Sequence, residues 1–231
     1  MSEKYVIQTI CTANACRSRI AQGVLKDLAE KAGLESLMEV RSSGMKVDKI
    51  KRWGIDEYLS IDAIFRVLNA AYNNGIHLMT QYRHFVEEAV AEEDLIREKH
   101  DNDDLFRDKL NTAASNIYKI LAQFDKASTI LVMAEHGLVY PGGEPMQFRE
   151  DGSDLYIPME EKFVEMVQGQ VHNPQSVRCF DEFIPGMEMK SSLAAVRYKD
   201  GKLDIAGFRK IYDQIELGCR NLMHAVENEL K

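Results

Sequence analysis

A run of β-branched and apolar residues over positions 4–10 gives way at Cys11 to a short loop of small residues, and a segment of helical period follows at once. Ile20, Ala21, Val24, Leu25, Leu28 and Ala29 recur at three- and four-residue steps across 18–31, and Gly33 supplies the stop. A second strand-like run occupies 38–42. Strand, tight loop, helix and strand in succession form a βαβ unit. Backbone twist makes such units right-handed and pairs their strands in parallel, so this part of the chain is committed to a parallel sheet with helices on its faces.

Two further strands are expected, one at 128–134 (STILVMA), which reads as fully buried, and one at 176–180 (SVRCF). A closing helix is expected over 206–229, with Phe208, Ile211, Tyr212, Ile215, Cys219, Leu222, Met223 and Val226 on one face. The expected fold is therefore α/β, a central parallel sheet of about four strands flanked by helices, in a single domain spanning 1–231. Far more residues separate the second strand from 128 than a crossover needs. They read as a helical insertion over 46–126. One helix carries Ile55, Leu59, Ile64, Phe65 and Leu68 and ends at Asn73, Asn74 and Gly75. A second carries Phe85, Val86, Ala89, Val90, Leu95 and Ile96 and breaks at 101–104, and a third carries Phe106, Leu110, Ala113, Ile117, Tyr118 and Leu121 into the strand at 128. Residues 140–173, punctuated by Pro141, Gly142, Gly143, Pro145 and Pro158, read as a second, irregular excursion.

Composition excludes several classes. With 231 residues, 45% hydrophobic and 29% charged, the chain has the profile of a globular protein able to bury a core. No apolar run approaches the ~20 residues of a membrane helix, and the first residues lack the basic and apolar regions of a secretory signal, so a cytoplasmic setting is expected. A net charge of −8 opposes broad attraction to nucleic acid or anionic lipid while leaving room for a local anion site. Cys11, Cys16, Cys179 and Cys219 are too few and scattered for a disulfide framework, and neither they nor the six histidines have metal-site spacing. No metal or cofactor is implied.

The segment that carries chemistry is Cys11-Thr12-Ala13-Asn14-Ala15-Cys16-Arg17-Ser18, at the carboxyl end of the first strand. A chain turning there into a helix can converge its backbone N–H groups on one anion. A thiol at the mouth feels the helix N-terminus and Arg17, which favour its thiolate, and the planar fork of Arg17 can grip two phosphoryl oxygens at once.

This loop resembles that of the low-molecular-weight protein tyrosine phosphatases, roughly Cys-x-Gly-Asn-x-Cys-Arg-Ser-Pro, with Cys11, Asn14, Cys16, Arg17 and Ser18 in register. Arg41-Ser42-Ser43-Gly44 is similar to the segment after that family's second strand, 125–136 resembles its Asp-Leu-Ile-Leu-Val-Met third strand, and 177–183 with the closing helix is similar to its tail. The insertion and 140–173 lie outside the resemblance. It implies that Cys11 attacks phosphorus to form a cysteinyl-phosphate, that Arg17 and the amides of residues 12–18 hold the equatorial oxygens, that Ser18 donates to the Cys11 thiolate, and that Asn14 and Ser42 keep the loop in shape.

Departures from that pattern are as informative. Ala13 replaces the family glycine, with strain expected if its φ is positive, and Arg19 replaces the proline, adding charge that opposes the helix dipole but is available to a phosphorylated ligand. The family's general acid, an Asp usually followed by Pro, has no Asp-Pro counterpart; Asp200 and Asp204 are the candidates by position, though Asp200-Gly201 also reads as a turn and Asp204 as a helix cap. Cys16 either guards Cys11 by a reversible disulfide or packs beneath the loop. Trp53 beside Lys46, Lys49, Lys51 and Arg52 reads either as a wall for a phosphotyrosine ring or as an anchor for a solvated loop. The expected function is hydrolysis of phosphotyrosine or another phosphomonoester, with a phosphorylated protein or small phosphomonoester as partner and a protein partner on the insertion. The alternatives are a catalytically weak phospho-ligand-binding or regulatory protein and, less favoured because Cys179 and Cys219 are far apart, a thiol-dependent arsenate reductase.

Overall fold

The computed structural model describes residues 4–53, 59–75, 80–187, 197–199 and 202–230. Its centre is β1 (Tyr5–Cys11). β1 pairs in parallel with β2 (Met38–Gly44), from Tyr5 opposite Met38 to Cys11 opposite Gly44. On its other edge it pairs in parallel with β3 (Leu155–Pro158), from Ile7 opposite Leu155 to Ile10 opposite Pro158. The order β2-β1-β3 puts the reversal of chain direction across the sheet at β1, and the carboxyl end of such a strand is where open α/β sheets bind ligands. Cys11 is the last residue of that strand.

Side chains of β1 alternate between two buried faces. The Thr9 hydroxyl donates to Ser18 O at 2.9 Å, toward α1 (Arg17–Lys31), which buries Ile20, Ala21, Val24, Leu25 and Ala29. Ile10 points the other way, into a cluster with Met45, Phe148, Tyr156, Phe163, Val167 and Val177. The closing helix is as expected, α8 over Ala206–Leu230, with Phe208, Ile211, Tyr212, Ile215, Cys219, Leu222, Met223 and Val226 buried.

Two strand expectations are corrected. Residues 128–134 are not a strand but the last turns of α6 (Asp104–Glu135). Burial there follows helical spacing, with Ser128, Thr129, Val132 and Met133 buried while Ile130 and Leu131 are 41% and 48% exposed. Nothing in the sequence breaks the helix between Asp104 and Glu135, so the apolar run continues it. The third strand is β3, inside the segment read as irregular, and Asp154-Leu155-Tyr156-Ile157-Pro158-Met159 shares the Asp, Leu and Met of the Asp-Leu-Ile-Leu-Val-Met pattern, with Ile157 in place of its second Leu. The expected fourth strand, 176–180, reduces to one parallel bridge, Tyr156 to Val177, between 3-10 turns at Pro174–Ser176 and Phe180–Phe183. The sheet thus has three strands.

The chain divides into two compact units, one of residues 1–47, 129–190 and 208–231, the other of 48–128 and 191–207. The first holds the sheet, α1, α8 and the short α7 (Val164–Gln168) among its elements. The second is helical: α2 (Val47–Arg52) begins at its boundary, followed by α3 (Ile61–Asn73), α4 (Arg83–Ala91), α5 (Glu93–Asn102) and most of α6, with a hairpin of β4 (Arg197–Lys199) and β5 (Lys202–Asp204). Its core includes Ile64, Phe65, Leu68, Val86, Ala89, Ile96, Leu110, Ile117 and Leu121. The single helix expected around Phe85 and Ile96 is broken at Glu92, whose φ of −120° and ψ of 39° end α4 and cap α5. Trp53 packs edge-on against Tyr118 at 4.8 Å within this unit, as an anchor. No described helix is long and apolar enough to cross a membrane.

Candidate active site

Cys11, buried at the end of β1, lies with its Sγ 3.1 Å from Ser18 Oγ. Either atom can be the donor of that bond, and the neighbouring hydrogen bonds show what Ser18 has to offer. Asn14 Nδ2 donates to Ser18 Oγ at 3.1 Å and to Ser42 Oγ at 2.9 Å, and Ser42 in turn donates to Gln22 Oε1 at 2.8 Å. Ser18, accepting from Asn14, has its own proton left for the sulfur. Asn14 is fully buried with φ 51°, the left-handed conformation that Asn tolerates better than most residues. Among the described residues it is the one non-glycine with positive φ, so Ala13 carries no such strain.

The loop's polar groups are sorted. The carbonyls of Thr12, Asn14 and Ala15 accept from Lys46 N (2.9 Å), Arg19 Nε (3.2 Å) and the Tyr140 hydroxyl (3.0 Å). Among the described residues the N–H groups of Ala13, Asn14 and Ala15 have no hydrogen-bond partner. Carbonyls are thus engaged from outside while amides are left available, as an anion cradle requires. The start of α1 adds to this: it has no acidic residue in its first turn and no side-chain cap, but carries Arg17 and Arg19. Two cations at a helix N-terminus oppose its dipole, an arrangement an anion would reconcile. Gly44 closes against the loop so tightly that a Cβ there would lie 2.7 Å from Asn14 N and 2.9 Å from Thr12 O.

Arg17, 4% exposed, directs Nη2 to Glu160 Oε1 at 2.6 Å, and its Nη1 is buried with no hydrogen-bond partner. Burial opposes its charge, but Glu160 and then Cys11 outweigh that and hold the guanidinium firmly protonated. Burial pulls the Glu160 carboxyl upward, and the Arg17 charge with a hydrogen bond from Lys162 brings it below the ordinary range. Glu160 Oε1 also accepts from the Thr12 hydroxyl at 2.9 Å. Met159 N donates to Ile10 O at 2.7 Å, which prolongs the β1–β3 ladder beyond Pro158 and brings residue 160 alongside Thr12. Sequence reasoning misses Glu160 because the apolar run at 128–134 reads as the third strand. The signal was present, an acidic residue directly after the Asp154–Met159 pattern.

Arg19 is not available to a ligand. Its side chain is buried and spent on four carbonyls, with Nε on Asn14 O, Nη1 on Pro141 O (3.1 Å) and Gly142 O (2.9 Å), and Nη2 on Glu144 O (2.8 Å). Cys16, the residue before α1 within the loop, is buried. Cys219 is fully buried and its thiol is raised by burial; Cys179, half-buried, caps a 3-10 turn and is raised for the same reason. Asp204 ends β5, opposite Arg197 in the hairpin of the second unit, and Asp200 lies outside the described residues. Among the described residues no group of three or more His, Cys, Asp or Glu side chains is placed to hold a metal ion.

The carboxyl end of the central parallel strand thus presents a buried cysteine, a loop with three amides free of hydrogen bonds among the described residues, and an arginine six positions on, carried on an α/β sheet. The chain belongs to the family described as low molecular weight phosphotyrosine protein phosphatase, whose sequence model matches residues 6–128. The low molecular weight phosphotyrosine protein phosphatase 2 of Drosophila melanogaster is 40% identical over 45 residues, 20% of this chain and 27% of that protein, so the match spans little more than a quarter of its length. Among solved structures, YfkJ from Bacillus subtilis matches with a TM-score of 0.55 at 15% identity, covering 100% of this chain and 99% of that one. A protein tyrosine phosphatase from Entamoeba histolytica matches with a TM-score of 0.55 at 12% identity, covering 98% and 99%. At this identity the structural likeness establishes the fold.

Proposed function

We propose that the protein is a cysteine-dependent phosphatase that hydrolyses phosphotyrosine or another phosphomonoester through a cysteinyl-phosphate intermediate. One observation carries this reading: in the loop that follows Cys11, the amides of Ala13, Asn14 and Ala15, and with them Arg17 Nη1, have no hydrogen-bond partner among the described residues. Together they match the demands of a phosphoryl group in transfer, which needs donors on its equatorial oxygens and a nucleophile in line with the leaving oxygen. Cys11 Sγ attacks phosphorus, the P–S bond forms as the P–O bond to the leaving group breaks, and Ser18 Oγ stabilises the thiolate before attack and after release. The leaving oxygen takes a proton from a general acid, for which Asp204 and Asp200 are the proposed residues. Water then attacks phosphorus and gives a proton to the carboxylate left by the acid step, the new P–O bond forming as the P–S bond breaks, so that phosphate departs and the Cys11 thiolate is restored.

The cradle groups at residues 12–18 act in binding, and Ser42 supports Asn14. Glu160, held ionised by Arg17 and Lys162, is suited to orienting Arg17 and unsuited to donating a proton. The substrate is proposed to be a phosphorylated protein or a small phosphomonoester, and the helical segment 46–126 is proposed to engage a protein partner. Hydrolysis of an aryl phosphate by wild type and by Cys11→Ser tests the reading. Turnover should vanish in the variant while inorganic phosphate still binds. Activity retained within about threefold would remove Cys11 from the mechanism, since a serine hydroxyl is far less nucleophilic at neutral pH.

A further inference from the structure

We propose that Arg19 is a positioning residue: with the strap of residues 140–146 it locks the phosphate loop in its anion-receptive shape. The proposal rests on the reading of the loop as a phosphate cradle. Arg19 is a buried cation whose bonds all go to backbone carbonyls, and among the described residues it has no carboxylate partner. Burying an unpaired charge is costly, and its place in the first turn of α1 opposes the helix dipole, so helix stability does not explain it. What its four bonds do is geometric. They tie Asn14 O to three carbonyls of the strap, which lie more than 120 positions further along the chain.

The strap meets the loop at two further points. The Tyr140 hydroxyl donates to Ala15 O at 3.0 Å, and Met146 N donates to Asn14 Oδ1 at 3.0 Å. Asn14, in its left-handed conformation, is therefore held through its carbonyl by Arg19, through Oδ1 by Met146 and through Nδ2 by Ser18 and Ser42. A sparsely populated conformation persists only where its surroundings over-determine it. Each bond that draws a loop carbonyl outward also keeps that carbonyl's dipole away from the anion side, leaving the amides turned to the phosphate. A lysine carries one point charge and cannot span Asn14, Pro141, Gly142 and Glu144 with a planar fork.

Three variants test this, each read in the ligand-free protein by amide hydrogen exchange across 12–18, and then by kinetics on an aryl phosphate and by competition with inorganic phosphate. Arg19→Met and Arg19→Lys should both speed exchange in the loop, lower kcat roughly tenfold and weaken inorganic phosphate by a similar factor. Tyr140→Phe, which removes one hydroxyl, should shift the same quantities in the same direction by less. Full rescue by lysine would mean that charge alone matters and would overturn the positioning role. Unchanged loop exchange in a folded Arg19 variant would overturn it as well; if neither Arg19 variant folds, unchanged exchange in Tyr140→Phe does so. Should wild type neither turn over aryl phosphates nor bind inorganic phosphate, the function reading fails, while the exchange data still decide whether Arg19 and the strap hold the loop.

Discussion

The candidate site draws on two sources that differ in kind. Cys11, Asn14, Arg17 and Ser18 come from one turn of chain and contribute the groups that would touch a phosphoryl ligand or the nucleophile. Glu160 and the strap come from far along the sequence, 143 positions from Arg17 in the case of Glu160, and contribute restraints: a carboxylate on Arg17, carbonyls around Arg19, a hydroxyl on Ala15. A short turn can place reactive groups near one another, but its backbone has too few internal bonds to hold one shape. The distant segments supply them. Loss of a local group should therefore abolish chemistry, while loss of a distant restraint should degrade it by degrees. With an activated aryl phosphate as substrate, the losses should fall in that order, from the groups on the phosphoryl oxygens to those that restrain the loop.

Arg17→Lys should be the most damaging, lowering kcat/KM by about a hundredfold or more, because charge is kept while paired donation to two oxygens is lost. Steady-state kinetics check it, and a near-normal rate would show that Arg17 does not bind the phosphoryl group. Gly44→Ala should follow. Its Cβ would press on Asn14 N at 2.7 Å and on backbone that cannot rotate away, so the loop must move. Displacement on that scale costs roughly 10- to 100-fold in rate. If Gly44→Ala is as active as wild type, the loop tolerates a shape change and the division between chemistry and restraint weakens.

Glu160→Gln tests a distant restraint on its own. Gln still accepts from Arg17 but without charge, so part of a charge-assisted bond worth ~1.5–3 kcal/mol is lost, a fall of about five- to tenfold. The stability effect has a defined pH window. The folded-state pKa of Glu160 lies below its ordinary value, so the ionised carboxylate stabilises the fold fully above the unfolded pKa, and this is lost as pH falls through the folded one. The difference in Tm between wild type and Glu160→Gln should thus be largest near neutrality and shrink as pH falls below about 4. A difference independent of pH would mean that shape, and not charge, is what Glu160 contributes.

The same division governs what is legible in the sequence. The βαβ start, the loop and the meeting of Asn14 with Ser18 and Ser42 are legible because their signals are local: a strand-like run, a small-residue turn, helical spacing and a motif in register. The third strand is not, because an apolar run as short as STILVMA satisfies a buried strand and a buried helix equally, and only continuity with α6 decides between them. β3 escapes because it is four residues long and ends in Pro158, amid glycines and prolines that signal a loop. Glu160 and the carbonyls around Arg19 act through pairings that no local pattern announces. Arg19 itself reads from sequence as a free cation, and burial reverses that reading.

The smallest expected effect belongs to Asp204, whose proposed role comes neither from the loop nor from the segments that restrain it. Protonating the leaving oxygen matters in proportion to how poor a leaving group it is. With an activated aryl phosphate the departing phenolate is already stable, so Asp204→Asn should change turnover by less than about threefold. With an alkyl or unsubstituted phenyl phosphate the oxygen departs as a stronger base, and the same variant should lose on the order of a hundredfold. Because only the slope against leaving-group pKa separates an acid from a helix cap, the measurement is a series of phosphomonoesters with wild type, Asp204→Asn and Asp200→Asn. A cap lost from α8 would lower Tm and affect every ester equally. A steepened slope in Asp204→Asn alone would identify it as the acid; in Asp200→Asn alone, it would move the role to Asp200. Parallel slopes in all three would leave the cradle intact without a working acid and would make the protein a phosphate-binding module with weak turnover.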